Sequence, residues 1–315
     1  MSSAVQPAPA QFVPTASQLA VAYSVCRGIT RRAAKNFYYA FLVLPRPKRQ
    51  ALSAVYAFMR RCDDIADDES LPTAERRQKL ALWLDAFHRA HAGDATDEAV
   101  LLALTDAQRR FNIPVGLLDQ LAYGTAMDVN GERARIAEDQ SRPSVFVHYP
   151  TFEALRVYCY KVASVVGLVC IHVFGYRDPA AERLAEDCGL AFQLTNIIRD
   201  VKEDAAAGRI YLPEEDLAKF GISPEELQSA SDPARFQSLL AFEAERAREY
   251  YKAADELIPL IEEDSQPALW VLVTIYRSLL ERIASRQYDV FSGKISLTVR
   301  EKLVILTKGW MKRLA

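Results

Sequence analysis

Residues 54–68 read AVYAFMRRCDDIADD. Val55, Phe58, Met59 and Cys62 recur at intervals of three and four, the spacing of one face of an α-helix. Acids follow at once, as Asp63-Asp64-Ile65-Ala66-Asp67-Asp68. On that helix Asp63 and Asp67 are four apart and Asp64 and Asp67 three apart, so the three carboxylates share a face. Like charges so placed repel, and at the C-terminal side of a helix the macrodipole adds to the cost. Such a broken local rule tends to mark a functional site. A solvated acidic helix end has the same pattern, and the segment alone does not separate the two.

A second segment, QLTNIIRDVKED at 193–204, changes the balance. Asn196, Asp200 and Asp204 stand at i, i+4 and i+8 with Gln193 one turn earlier, while Leu194, Ile197, Ile198 and Val201 form the opposite stripe. Packing explains poorly a core helix whose other face is carboxylates and amides. Two oxygen-rich faces suit a hard divalent cation, because Mg²⁺ takes oxygen ligands and keeps waters and substrate phosphates in its shell. Carboxylates holding Mg²⁺ on diphosphate oxygens stabilise a leaving diphosphate.

Outward from these segments the helical period continues. It is seen at Leu80, Leu84 and Phe87, at Leu155, Tyr158, Cys159, Val162 and Val166, and through 236–260 and 268–291. Pro, Gly and Ser clusters separate the runs, and no alternating strand pattern or fixed-period repeat appears. The expected architecture is all-α: one helical domain over 18–315 behind a disordered Ala/Pro/Ser/Gln-rich tail at 1–17. With 315 residues, half of them hydrophobic and only 12 Gly, the chain has material for a large core.

A net charge of −2 gives the whole molecule no nucleic-acid footprint. Five scattered cysteines without a CxxC pair read as reduced core thiols of a cytoplasmic protein and argue against structural zinc. The longest apolar run, 162–173, is short and contains His172, so no transmembrane helix is expected. The basic end, 302–313, with Lys308, Trp310, Lys312 and Arg313, suits peripheral contact with an anionic inner-membrane surface. A solvated last helix reads the same way.

DDIADD at 63–68, QLTNIIRDVKED at 193–204 and AAAGRIYLP at 205–213 resemble the squalene/phytoene synthase family. So do RRAAKNFYYAFLVLP at 31–45, AVYAFMRRCDD at 54–64 and YCYKVASVVG at 158–167, so the resemblance covers about residues 20 to 295. It implies an isoprenoid-synthase helical fold with a central substrate cavity. Asp63, Asp64 and Asp67 would form one metal-binding face, and Asn196, Asp200 and Asp204 the other, with Gln193 beside them; Mg²⁺, or Mn²⁺ in its place, would bridge them to prenyl diphosphates.

By the same resemblance Arg60 would contact diphosphate, with Lys35, Arg209 and Tyr211 as further anion contacts. Arg suits bidentate phosphate recognition. Asn36 stands where the family usually has Ser or Thr, and its amide can still donate to a phosphate oxygen. Tyr38, Tyr56 and Tyr158 fall where polar aromatics line the upper cavity; aromatic faces stabilise a carbocation, Tyr158 is a catalytic candidate, and either the diphosphate itself or a Tyr could take the proton. Gly167 is expected to leave room for a prenyl tail at a helix kink. The pair Gly124 and Asp128 resembles a further family element without an assigned role.

The reaction so implied joins two prenyl diphosphates head to head through a cyclopropyl diphosphate, releasing diphosphate. NADPH enters only if the reaction continues to squalene. Phe37 and Phe41 share a face of the first cavity helix, and bulk at Phe41 would shorten the tail channel. That favours farnesyl diphosphate and presqualene diphosphate over geranylgeranyl diphosphate and phytoene, although a small neighbour such as Ala163 would restore depth. A helical assembly factor of the same fold is the non-catalytic alternative, and intact motif aspartates argue against it. Oligomeric state is not encoded legibly.

Overall fold

Local signals explain where the helices begin and end. The computed structural model of the chain describes residues 12–34, 36–125, 127, 149–229 and 232–314. Helix α1 (Ala16–Ala33) starts with a capping box: the Thr15 hydroxyl accepts from the Gln18 amide at 3.3 Å, and the Gln18 side chain accepts from the Thr15 amide at 2.8 Å. The tail expected over 1–17 therefore does not reach this far. The Phe12 amide already donates to the Gly93 carbonyl at 2.8 Å. Residues 1–11, Lys35 and Asp128 lie outside the described residues.

After the short α2 (Phe37–Leu42), α3 (Arg46–Ala66) opens with Pro in its first turn, where no amide donor is needed. Then come α4 (Thr73–Ala92), ended by left-handed Gly93 at φ 110°, α5 (Ala99–Arg110) and α6 (Val115–Thr125). Helix α7 (Phe152–Cys159) runs through a five-residue π-helical stretch (Tyr160–Ser164) into α8 (Val165–Phe174). The longest helix is α9 (Ala180–Ala206). Short α10 (Glu214–Lys219) and α11 (Glu226–Ser229) lead to α12 (Pro233–Leu257), α13 (Gln266–Ser285) and α14 (Val299–Leu314). Among the described residues there is no strand, only an isolated bridge between Tyr176 and Ile261. The all-α expectation holds.

One connected cluster of buried side chains runs through these helices. Helix α9 lies at its centre, packed along α12 and against the π-helical stretch and α8. Glycine makes that approach feasible. A Cβ on Gly189 would sit 2.8 Å from the Ala163 carbonyl oxygen, and one on Gly167 would sit 2.7 Å from the Ala185 carbonyl oxygen. The π-helical stretch Tyr160–Ser164 ends three residues before Gly167.

The continuous helix Phe152–Phe174 is 23 residues long with mean hydropathy 1.8, enough by length and composition to cross a membrane. It exceeds the 162–173 run noted in the sequence because α7 and the π-helical stretch extend it. Half of its apolar window is buried inside the fold, as befits a core helix. At the end of the fold away from the acids, buried Lys48 ties three elements together. Its Nζ donates to Glu262 at 2.6 Å, Asp264 at 2.5 Å, Ser265 Oγ at 3.0 Å and the Phe174 carbonyl at 2.8 Å.

Candidate active site

Helix α3 delivers its acids over its last turn. Asp63 is half-buried and Asp64 exposed, and Asp67 caps the helix, its amide donating to the Asp63 carbonyl at 2.8 Å. One turn earlier on the same helix, Met59 and Tyr56 form part of a cavity wall. Helix α9 repeats the arrangement. Gln193 and Asn196 line the cavity, joined by an Asn196 Nδ2 to Gln193 Oε1 contact of 3.5 Å, and Asp200 and Asp204 follow one and two turns on.

Tyr276 of α13 links the two ends. It is buried, its hydroxyl meets the side-chain amides of Asn196 and Asn36, and it lies within electrostatic reach of Arg199 and Asp200. Tyr56 in turn senses Arg60, Asp63, Asp64 and Tyr276. Both acidic helix ends therefore adjoin one mouth. Burial pushes both phenols up from their ordinary pKa.

Arginines neutralise several of the acids. Arg60 Nη2 stands 2.6 Å from Asp64 Oδ1, and Arg209 Nη2 is 3.6 Å from Asp204 Oδ1. Arg199 grips Asp200 through two nitrogens, the Nε contact at 2.7 Å. Burial works against the charge of Arg199, and the pairing with Asp200 outweighs it. Asp63 lacks such relief. Burial is the main cause that pushes its carboxyl up to about 7; Arg60 opposes the shift, while Asp67 and Asp64 add to it.

Among the described residues no three Asp, Glu, His or Cys side chains converge into a ready-made metal cage. Two carboxylate sets around one mouth, one of them with a carboxyl driven toward its neutral form, fit instead an ion that completes its shell with substrate phosphate.

Below the mouth lies a cavity, almost wholly apolar, whose empty space including the part open to solvent is about 950 Å³. Phe37 and Phe41 of α2 line it opposite Ala163, Val166 and Gly167, and Phe174, Leu257 and Leu269 lie among its walls. Its aromatic lining is contiguous: Phe37 stands 6.2 Å from Phe41 and 6.5 Å from Tyr276, and Phe192 stacks on Tyr276 at 4.5 Å. Such walls exclude water, which a carbocation requires.

Phe37, Phe41, Tyr56, Ala163, Gly167, Gln193 and Asn196 line this cavity; Asn36, Arg60, Asp63, Asp64 and Asp200 lie within reach of its lining Tyr56 and Tyr276, with Asp67 beside Asp63, while Asp204 and Arg209 line a separate small recess. Three expectations change. Among the described residues, Tyr38 and Tyr158 are not part of the cavity wall. Tyr158 is buried in a stack with Tyr149 and Tyr211, at centroid distances of 5.4 and 5.1 Å, and its hydroxyl donates to Tyr211 Oη at 3.3 Å. Tyr211 lies by Asp204 and Arg209 in a small side recess. Gly167 does line the cavity, yet the space its missing Cβ leaves is taken by the backbone of α9 rather than left for a tail. Gly124 has the same packing role, since a Cβ there would lie 2.1 Å from the Lys161 carbonyl oxygen. Tyr276 and Arg199 were missed: one sits in an apolar stripe and the other lies inside a motif read only for its acids.

A helical shell around an apolar cavity, with carboxylates and guanidinium groups near its mouth, suits an enzyme whose substrate has an anionic head and an apolar tail. Comparison with known proteins makes the class specific. The family model for squalene/phytoene synthase matches residues 30–301. A Mycobacterium bovis protein named phytoene synthase is 37% identical over 290 residues, covering 91% of this chain and 89% of that one. A crystal structure of a dehydrosqualene synthase in complex with ligand superposes with TM-score 0.79 at 29% identity, covering 93% of this chain and 96% of that one. The squalene synthase HpnC from Alicyclobacillus acidocaldarius superposes with TM-score 0.74 at 28% identity, covering 88% and 97%. The chain belongs to the squalene/phytoene synthase family. Members of that family condense prenyl diphosphates head to head and generally use a divalent metal.

Proposed function

We propose that this enzyme condenses two molecules of farnesyl diphosphate to presqualene diphosphate, with Mg²⁺ as its metal. The observation that carries the choice of tail is Phe41, only 5% exposed and set in the cavity wall beside Phe37. A large ring there takes up channel that a longer tail would need. Ala163 in the wall of the same cavity provides the compensating small side chain.

In this reading Asp63, Asp64 and Asp67 on α3 and Asn196, Asp200 and Asp204 on α9 would hold Mg²⁺. When bound, the metal supplies charge neutralisation for the departing diphosphate. Arg60, Arg199 and Arg209 exchange carboxylate for phosphate oxygens, a match guanidinium makes in bidentate fashion. Asn36 and Tyr276, which face each other, orient the diphosphate end, while Tyr56, Phe37 and Phe192 offer ring faces to developing positive charge. Tyr158, stacked on Tyr211, stays outside the cavity wall in this reading. The apolar walls keep water from the cation.

A second reading, condensation of two geranylgeranyl diphosphates to phytoene, is favoured by the name of the Mycobacterium bovis relative. One assay separates them. The purified chain is incubated with Mg²⁺ and either farnesyl or geranylgeranyl diphosphate, with and without NADPH, and the extracted products are sized. A thirty-carbon product from farnesyl diphosphate is expected. A forty-carbon product from geranylgeranyl diphosphate alone refutes the proposal in favour of the second reading, and a product that becomes squalene only with NADPH adds the reductive step.

A further inference from the structure

Helix α14 is covered on one side only. Ile305 is buried, and Gly309 lies so close to α13 that a Cβ would meet Val271 Cγ2 at 2.3 Å. Lys302 sits over the Tyr39 ring of α2 at 5.7 Å, and Lys312 over the Trp270 ring of α13 at 5.0 Å. The other side shows Val299, Leu303, Val304, Trp310 and Met311 to solvent, at 63, 47, 50, 42 and 57% exposure. Scattered exposed apolar residues are ordinary. Here, five of the eleven large exposed hydrophobics among the described residues fall on one sixteen-residue helix. At 100° per residue they occupy a single arc.

Charge on this helix is one-sided as well. It carries Arg300, Lys302, Lys308, Lys312 and Arg313 against one acid, Glu301, on a chain whose net charge is −2. Glu301 is bound by Arg282 and accepts from the Thr298 amide at 2.8 Å, so the helix's one acid is already engaged outside its own bases. An exposed apolar arc flanked by bases is the composition of a helix that lies in a bilayer interface with its apolar side down.

We propose that α14 docks the enzyme onto an anionic phospholipid surface, with Val299, Leu303, Val304, Trp310 and Met311 entering the headgroup–acyl boundary and Arg300 and Lys308 meeting lipid phosphates. The inner faces of α2 and α13, against which α14 packs, form cavity wall through Phe37, Phe41, Leu269 and Leu272. Docking through α14 therefore brings the apolar cavity within one helix layer of the membrane, whichever prenyl chain length it accepts.

The test needs no substrate, so its outcome is independent of the proposed reaction. The full chain is floated with vesicles of phosphatidylcholine alone or of phosphatidylcholine mixed with phosphatidylglycerol, at low and high salt. Wild type is expected to float with the anionic vesicles and to lose binding as salt rises. Arg300→Gln with Lys308→Gln should weaken it about fivefold per residue, at roughly 1 kcal/mol for each base at such a surface. Leu303→Asp with Met311→Asp should abolish it, while leaving the melting temperature and solution turnover near wild type.

Wild type remaining at the bottom of the gradient, or the aspartate variant floating like wild type, overturns the proposal. A chain that ignores vesicles, runs as a dimer, and becomes monomeric on Leu303→Asp with Met311→Asp overturns it in favour of a second copy as the occupant of this face.

Discussion

Phe41→Ala should lengthen the prenyl chain that the cavity accepts. Phe41 is 5% exposed, within contact of Phe37, and faces the cavity from α2. Trimming it to a methyl group removes a six-membered ring, close to the bulk of the one isoprene unit by which a geranylgeranyl tail exceeds a farnesyl tail. Burying five further carbons at about 0.8 kcal/mol each has an upper bound of about 4 kcal/mol. A channel not shaped for them realises less, so about 1.5–3 kcal/mol is expected, a shift of roughly 10- to 150-fold in relative kcat/KM.

Stability opposes the change only moderately. A fully enclosed Phe→Ala costs about 3–5 kcal/mol, and a ring that already borders open space should cost toward the lower end. The assay is competition between equimolar farnesyl and geranylgeranyl diphosphate with Mg²⁺, reading the ratio of forty- to thirty-carbon product, with a thermal melt to verify folding. Phe41→Leu should fall between wild type and Phe41→Ala. A folded Phe41→Ala protein whose product ratio stays within twofold of wild type would refute the steric argument.

Asp63 and Gly189 give two more expectations. Burial holds the Asp63 carboxyl near 7, so in the metal-free protein it keeps its proton below that pH, and a divalent ion must expel it. Mg²⁺ affinity, followed by calorimetry in buffers of different ionisation enthalpy, should fall about tenfold per pH unit below 7, level off above it, and lose this dependence in Asp63→Asn. At Gly189 two effects compete. Alanine gains about 1 kcal/mol in helix propensity, but its Cβ would lie 2.8 Å from the backbone of Ala163 and Ser164, an overpacking that costs about 1–3 kcal/mol. Backbone cannot rotate aside, so Gly189→Ala should lower the midpoint of urea unfolding, and a raised midpoint would contradict the close-packing reading.

Much of this was legible in the chain, for identifiable reasons. The acids of α3 and α9 stand out because they interrupt strong apolar periods at helical spacing. Gln193 and Asn196 follow from the same spacing, whereas Phe37 and Phe41 are placed at the cavity by the resemblance of 31–45 to the family. What escaped was set by partners distant in sequence. Tyr276 occupies an ordinary amphipathic stripe, and only tertiary packing brings it to Asn36 and Asn196. The π-helical turn at Tyr160–Ser164 has no composition of its own. On its N-terminal side Tyr158 joins Tyr149 and Tyr211, while Ala163 within it lies in the cavity wall. Gly167 was misread because a missing side chain records only that something comes close, and here it is the Ala185 carbonyl.

The charges at the mouth also explain how the fold tolerates acids at the end of α3, where the macrodipole disfavours them. Asp64, Asp200 and Asp204 each have an arginine, in Arg60, Arg199 and Arg209, and Asp68 accepts from the Ser70 amide at 3.2 Å. Asp67 is exposed, so water screens it. The remaining cost falls on half-buried Asp63, one turn from the cavity-lining Met59: burial above all, which Arg60 only partly offsets and Asp67 and Asp64 add to, makes its carboxyl hold its proton. A site whose acids served stability alone would have no reason to bury a carboxyl whose charge Arg60 only partly offsets. One that receives its cation together with a substrate phosphate gains by leaving the offset incomplete, because the missing positive charge then becomes a preference for the metal-bound substrate.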